Sequence, residues 1–178
     1  MGHLTRTIAL VGMMGAGKTS VGRRLASRLH VPFRDADGEI EAAAHCSISE
    51  IFEHWGEAAF RDCERKVISR LLGEPPHVLA TGGGAFMDAQ TRARIGESAV
   101  SVWIKAPVDM LLARVRRKAD RPLLKTANPR ETLERLLRER ESTYALADLA
   151  FESVDGPHND MVERLVAALS ERGIWVTT

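Results

Sequence analysis

Gly12-Met13-Met14-Gly15-Ala16-Gly17-Lys18-Thr19 fills every fixed position of the pattern G-x-x-x-x-G-K-[ST] and directly follows the apolar run Thr7 to Val11. These residue types at this spacing bind phosphate. Glycines let successive backbone N–H groups turn inward around phosphate oxygens, where a side chain would clash or forbid a positive φ. The helix expected from Lys18 through about Leu29 points its N-terminus and partial positive charge at the same phosphates. Gly15, Ala16, Gly17, Lys18, Thr19 and Ser20 therefore form the expected nucleotide-binding stretch. Lys18 is placed to reach the β- and γ-phosphates and the Thr19 hydroxyl to ligate Mg²⁺. A glycine-rich turn carrying a surface lysine is the plain alternative, and the strand–loop–helix context argues against it.

Further chemistry-bearing positions follow other strand-like runs. After Val31 to Phe33 come Asp35 and Asp37, two carboxylates at a strand end. In an open α/β sheet the ligand crevice lies at the carboxyl ends of the strands, so one could steer Mg²⁺ while the other orients an acceptor hydroxyl. Alternatively, Asp37 caps a helix beginning near Gly38 and Asp35 is solvated. Gly82, Gly83 and Gly84 follow the buried run His77 to Ala80; they read either as a flexible turn or as backbone laid against a small ligand. Arg140 projects from the apolar face carrying Leu133, Leu136 and Leu137, where a buried guanidinium requires an anionic partner. Arg61 flanks a stripe of Phe60, Cys63, Val67 and Leu71, and a snorkelling arginine paired with Glu57 or Glu64 is the simpler reading there. Arg121 precedes a proline at the base of a loop, while Arg116, Arg117 and Lys118 fit as cations at a helix C-terminus.

The elements that must position these groups alternate. Strand-like runs at Thr7–Val11, Val31–Phe33, His77–Ala80, Ala99–Ile104 and Leu149–Phe151 are separated by helical patterns, which predicts a parallel sheet with helices on both faces. Ser47-x-x-Glu50 is a capping box, and Asn128-Pro129-Arg130-Glu131 combines an N-cap, a proline at the first helical position and a glutamate at the third. The stretch 116–128 lacks periodicity and reads as a lid. Residues from Arg172 onward read as peripheral.

Taken together, the phosphate loop, Phe33-Arg34-Asp35-Ala36-Asp37, Gly56-Glu57-Ala58-Ala59-Phe60-Arg61-x-x-Glu64, Thr81-Gly82-Gly83-Gly84-Ala85, Arg121-Pro122-Leu123-Leu124 and Arg140-x-x-x-Tyr144 resemble the shikimate kinase family, from about residue 6 to residue 170. The resemblance implies a single-domain, three-layer α/β/α P-loop NTPase fold of the nucleoside-monophosphate-kinase kind, with a five-stranded parallel sheet of order 2-3-1-4-5. It further implies a substrate-binding region over 35–64, a lid over 116–128, and transfer of the ATP γ-phosphoryl to the 3-hydroxyl of shikimate in the pathway to chorismate and the aromatic amino acids. Carried over by position, Asp37 would hold ring hydroxyls and orient or deprotonate the 3-hydroxyl. Asp35 would act on Mg²⁺ through water, and Arg61 and Arg140 would grip the shikimate carboxylate beside the backbone of Gly82, Gly83 and Gly84. Arg121 would reach the transferring phosphate, and Arg114 would lie near the adenine. The family tends to show an apolar residue, an acid and a Thr before a downstream Pro on the adenine side, whereas Phe151-Glu152-Ser153-Val154-Asp155-Gly156-Pro157 is a looser version. A gluconate kinase of the same fold and a non-catalytic binding relative are the rivals.

Composition bounds these readings. The 178 residues are 44% hydrophobic and 28% charged with a net charge of +1, which suits one buried core and supplies no basic field for nucleic acid. No apolar run approaches the roughly 18 residues of a membrane span. Cys46 and Cys63 lack C-x-x-C spacing and the six histidines are scattered, so neither zinc nor a disulfide framework is expected. A strand begins too near Met1 to leave room for a signal peptide. A cytoplasmic monomer using ATP and Mg²⁺, with no nucleic-acid or membrane partner, is the expectation.

Overall fold

A computed structural model describes residues 2–117, 126–154 and 159–177. The strands are β1 (Gly2–Leu4), β2 (Thr7–Val11), β3 (Phe33–Asp35), β4 (Val78–Ala80), β5 (Ala99–Lys105), β6 (Leu149–Glu152) and β7 (Trp175–Thr177). The helices are α1 (Lys18–Leu29), α2 (Ala36–Ala44), α3 (Ile48–Leu72), α4 (Ala89–Ser98), α5 (Val108–Val115), α6 (Pro129–Tyr144) and α7 (Asn159–Glu171), with a 3₁₀ turn at Ala85–Met87.

Five strands form one parallel sheet in the order β3-β4-β2-β5-β6. Counted without the short β1, this is the expected 2-3-1-4-5. Ile8, Ala9, Leu10 and Val11 are all fully buried on the central strand because helices cover both of its faces, and the strand's one polar residue, Thr7, is buried with its hydroxyl accepting from His77 N–H. On one side α1 packs against α7, β3 and β4; elsewhere α3 packs on α4 and α4 on β5.

The second core strand lies two residues later than the Val31–Phe33 run suggested. Asp35 pairs with Ala80, so the strand ends at the carboxylate and not before it. The tail from Arg172 is not peripheral. Gly173, at φ 66, ends α7 with Ile174 N–H bonded to the Leu169 carbonyl, and the chain then pairs antiparallel with β1. Ile174 and Trp175 join the core, and a Cβ at Gly2 would lie 2.2 Å from the Trp175 ring, so the pairing requires glycine there.

Helix starts follow the predicted caps. Ser47 and Glu50 complete a reciprocal capping box, and the Asn128 side chain accepts from Glu131 N–H ahead of Pro129. Helix α3 breaks at Gly56, whose φ of 82 is open to glycine and strained for other residues, separating 48–55 from 57–72.

Candidate active site

The phosphate loop is shaped by backbone. Gly12, Gly15 and Gly17 have φ of 141, 80 and 99, while the side chains of Met13, Met14 and Ala16 are buried in the core and anchor the turn. Lys18 donates to the carbonyls of Gly12 at 2.7 Å and Met13 at 2.8 Å, which fixes its ammonium along the loop. Arg114, from α5, donates to the carbonyls of Gly15 and Ala16 and to the Ser153 hydroxyl at 3.2 Å. It ties the loop to the end of β6, on the side where the resemblance places adenine.

Thr19 donates to Asp35 Oδ2 at 2.9 Å, and Asp35 Oδ1 accepts from Asp37 N–H at 3.2 Å. The cap of α2 is therefore Asp35. Asp37 lies in the first turn, which corrects the alternative that had Asp37 capping and Asp35 solvated. The hydroxyl of Thr19 and the carboxylate of Asp35 offer hard oxygen donors side by side. Magnesium favours such a pair when phosphates and water complete its shell, and the described residues gather no group of three His, Cys, Asp or Glu.

Across the sheet edge, the glycine run makes room for charge. A Cβ at Gly82 would lie 2.9 Å from Glu64 Oε2 and 3.0 Å from Asp37 Oδ1; one at Gly84 would lie 2.4 Å from Arg61 Nη2; one at Gly83 would lie 3.6 Å from Arg140 Nη1. Gly82 and Gly84 thus admit three charged side chains from α2 and α3, while Gly83 lies against the Met14 amide with Arg140 from α6 in ordinary contact. Thr81 sets the start of this run by bonding the Leu10 carbonyl through both N–H and hydroxyl. Tyr144, fully buried and stacked on Trp103, donates to the Gly83 carbonyl, and burial pushes its hydroxyl up to about 12, so it stays a donor throughout the physiological range.

Arg61 forms both ion pairs that the simpler reading offered, with Glu64 at 2.8 Å and Glu57 at 3.5 Å. Arg140 is 8% exposed, and its Nη1 has no hydrogen-bond partner among the described residues. A buried cationic donor with an open position is a place for an anion. Cys63 packs half-buried against the core as part of the expected stripe, and Glu64 beside it is buried more deeply, with Phe60, Val67 and Leu71. Burial raises its carboxyl above the ordinary range, partly offset by the charge and hydrogen bond of Arg61.

One cavity of about 440 Å³ runs from Gly15, Gly17, Lys18, Thr19 and Ser20 past Asp35 to Asp37, Thr81, Gly82 and Gly83, with Arg114 and Arg117 along its side. Arg61 and Arg140 meet the glycine run at Gly84 and Gly83, next to the glycines that line this cavity. In the sequence Glu64 and Tyr144 stand out only as an ion-pair partner of Arg61 and as members of the family motifs, and Arg117 only as a helix-end cation. The i, i+4 spacing of Glu64 from Phe60 was the available signal for its burial; none marked Arg117. Arg121, the 118–125 part of the expected lid and Asp155 to Pro157 lie outside the described residues.

Fold and site define a small-molecule kinase of the P-loop class, with a phosphate loop on one side of a cavity, Asp37 and a glycine run on the other, and two guanidiniums and a second carboxylate packed against those glycines. A sequence model of the shikimate kinase family matches residues 14–170, and the chain belongs to that family. It is 59% identical over 164 residues to a shikimate kinase of Bradyrhizobium diazoefficiens, covering 92% of this chain and 79% of the relative. A shikimate kinase of Caulobacter vibrioides is 58% identical over 166 residues, 93% of this chain and 83% of that one. The solved shikimate kinase of Acinetobacter baumannii in complex with shikimate superposes with a TM-score of 0.91 at 38% identity, covering 94% of each chain.

Proposed function

We propose that this chain transfers the γ-phosphoryl group of ATP to the 3-hydroxyl of shikimate, giving shikimate 3-phosphate and ADP on the route to chorismate and the aromatic amino acids. The observation that carries this reading is the convergence of Arg61, Arg140, Asp37 and Glu64 on Gly82–Gly84, a run whose Gly82 and Gly83 line the same cavity as Asp37, Lys18 and Thr19. A small anionic polyol needs cations for its carboxylate and a carboxylate for its hydroxyls, and this pocket offers both.

In this reading the amides of Gly15 to Ser20 cradle the phosphates, and Lys18 exchanges its loop carbonyls for phosphate oxygens. Thr19 and Asp35 would hold Mg²⁺, Asp35 through water, and the ion would supply neutralisation of phosphate charge. Arg61 and Arg140 clamp the shikimate carboxylate, fixing the ring so that Asp37 accepts the hydrogen bond of the 3-hydroxyl and aims its oxygen along the cavity. Phosphoryl transfer through a loose transition state demands this in-line placement and charge neutralisation more than a strong base. Arg114 supports the adenine side. Arg121 is assigned to the transferring phosphate from the family resemblance, with 116–128 as the lid and 35–64 as the acceptor region of a single-domain, cytoplasmic monomer.

The deciding experiment is ADP release from Mg-ATP with shikimate, quinate or gluconate, with Arg61→Lys as a control. Strong stimulation by shikimate, weakened in the variant at low substrate, is expected. Stimulation by another polyol alone would move the acceptor assignment, and silence from all three would favour a non-catalytic binding role.

A further inference from the structure

Glu64 is the most deeply buried carboxylate of the pocket, its side chain 4% exposed. Its Oε1 accepts from Arg61 at 2.8 Å, while its Oε2 has no hydrogen-bond partner among the described residues. That second oxygen and Asp37 Oδ1 flank one point above Gly82, at 2.9 and 3.0 Å from where a Cβ would stand. The charged and titratable groups facing Glu64 are Asp37 from α2, Arg140 and Tyr144 from α6, and Arg61 on its own helix, which in turn touches Glu57. A buried acceptor without a donor costs free energy, so an oxygen held this way calls for an explanation.

Charge balance supplies one. Arg61 and Arg140 are two cations, Asp37 and Glu64 two carboxylates. An acceptor carboxylate drawn onto the guanidiniums brings a third anion beside the buried Glu64 and Arg140, and it competes with Glu64 for Arg61. The excess negative charge is removed when one carboxylate is protonated, as happens when like charges share a site.

We propose that Glu64 takes up one proton from the buffer when the anionic acceptor binds, so that the loaded pocket holds Glu64 as a neutral carboxylic acid beside Asp37. The proton sits on Oε2, turning an unpartnered acceptor into a donor aimed at the space that Asp37 and the substrate hydroxyls share. Oε1 remains an acceptor for Arg61. Burial already raises the proton affinity of Glu64, Arg61 opposes it, and Asp37 adds to it, so the empty site is poised toward this change. Glu64 acts here as a positioning residue: it leaves Arg61 attached to the wall while releasing that cation's charge to the substrate. The proposal rests on shikimate being the acceptor of this pocket.

Calorimetric titration of the full chain with shikimate, in paired buffers of low and high ionisation enthalpy between about pH 5 and 8, tests it. Buffer-dependent enthalpies are expected, reporting uptake that approaches one proton where the coupling is strongest, with a shikimate Kd that weakens by up to about tenfold per pH unit through that window. Glu64→Gln, which mimics the neutral acid with a donor in place of Oε2, should bind shikimate close to the wild-type low-pH affinity without buffer dependence. In wild-type protein labelled with ¹³C-glutamate, a protonated-carboxyl stretch should appear in the infrared on shikimate addition, a readout independent of how the variant folds. Buffer-independent enthalpies across the range, or uptake that persists in Glu64→Gln, would overturn the proton assignment with shikimate binding still measured. Absence of any shikimate binding to the wild type would overturn the acceptor itself.

Discussion

The phosphate loop and the proposed acceptor pocket adjoin one cavity, the first through its own residues and the second through Asp37, Gly82 and Gly83, yet they are built in opposite ways. The loop is eight consecutive residues whose function resides in backbone conformation: three glycines at positive φ, side chains buried in the core and a lysine held by its own carbonyls. The pocket draws single side chains from α2, α3 and α6 onto a glycine run that is important for what it lacks. Phosphate recognition is thus local and stiff, whereas acceptor recognition depends on helices packing correctly against each other. Substitutions in the two regions should therefore fail differently.

The largest effect is expected at the loop. Lys18→Ala should lower kcat about 10²–10³-fold by removing transition-state charge stabilisation, with the shikimate Kd nearly unchanged. Steady-state kinetics beside shikimate titration checks this, and a matching loss of shikimate affinity would erase the division between the two regions. Next, Arg61→Lys or Arg140→Lys should raise the shikimate KM by at least about tenfold, equivalent to about 1.4 kcal/mol, with little change in the KM for ATP, because an ammonium cannot reproduce a guanidinium fork. A pair of glycine variants sharpens the contrast. A methyl at Gly12 meets the Ile104 carbonyl at 2.6 Å with φ at 141, so Gly12→Ala should cost about 1–3 kcal/mol of stability. At Gly84 the methyl meets the movable end of Arg61 and φ is an ordinary −101, so Gly84→Ala should melt near the wild-type Tm while its shikimate KM rises. Melting curves and KM values that ran the other way would reverse the comparison.

This contrast also explains what was legible in the sequence. The loop, the helix from Lys18 to Leu29 and the central strand could be read because each is specified by contiguous residues. Arg140 could be placed on an apolar face by its spacing from Leu133 and Leu137. That Glu64 is buried alongside the apolar stripe of α3 could not be read in the same way: Cys63 packs half-buried on the core as its apolar character predicts, whereas the deeper burial of the carboxylate depends on its approach to Gly82, near Asp37. The β1–β7 pairing was hidden for a different reason. Three-residue strands carry too little pattern to be seen, and their partners stand at opposite ends of the chain.

The smallest expected effect is thermodynamic, and it asks whether the acceptor pocket sacrifices stability for recognition in a way the loop does not. The Glu64 carboxyl is raised in the folded protein, with burial as the main cause. For an acid shifted upward, the folded state binds the proton more tightly than the unfolded state. Its contribution is therefore fully present below the unfolded carboxylate range and is lost as pH rises through the raised folded value. Glu64→Gln removes that titration. The difference in Tm between Glu64→Gln and wild type, measured without ligands, should grow in favour of the variant as pH rises through the carboxylate range and level off above it. Each kcal/mol corresponds to about 2–4 °C at this chain length. A difference that stayed flat, or a wild type that gained on the variant with rising pH, would mean that the Arg61 ion pair outweighs burial. The empty pocket would then be stabilised by its charges, as well ordered without substrate as the phosphate loop.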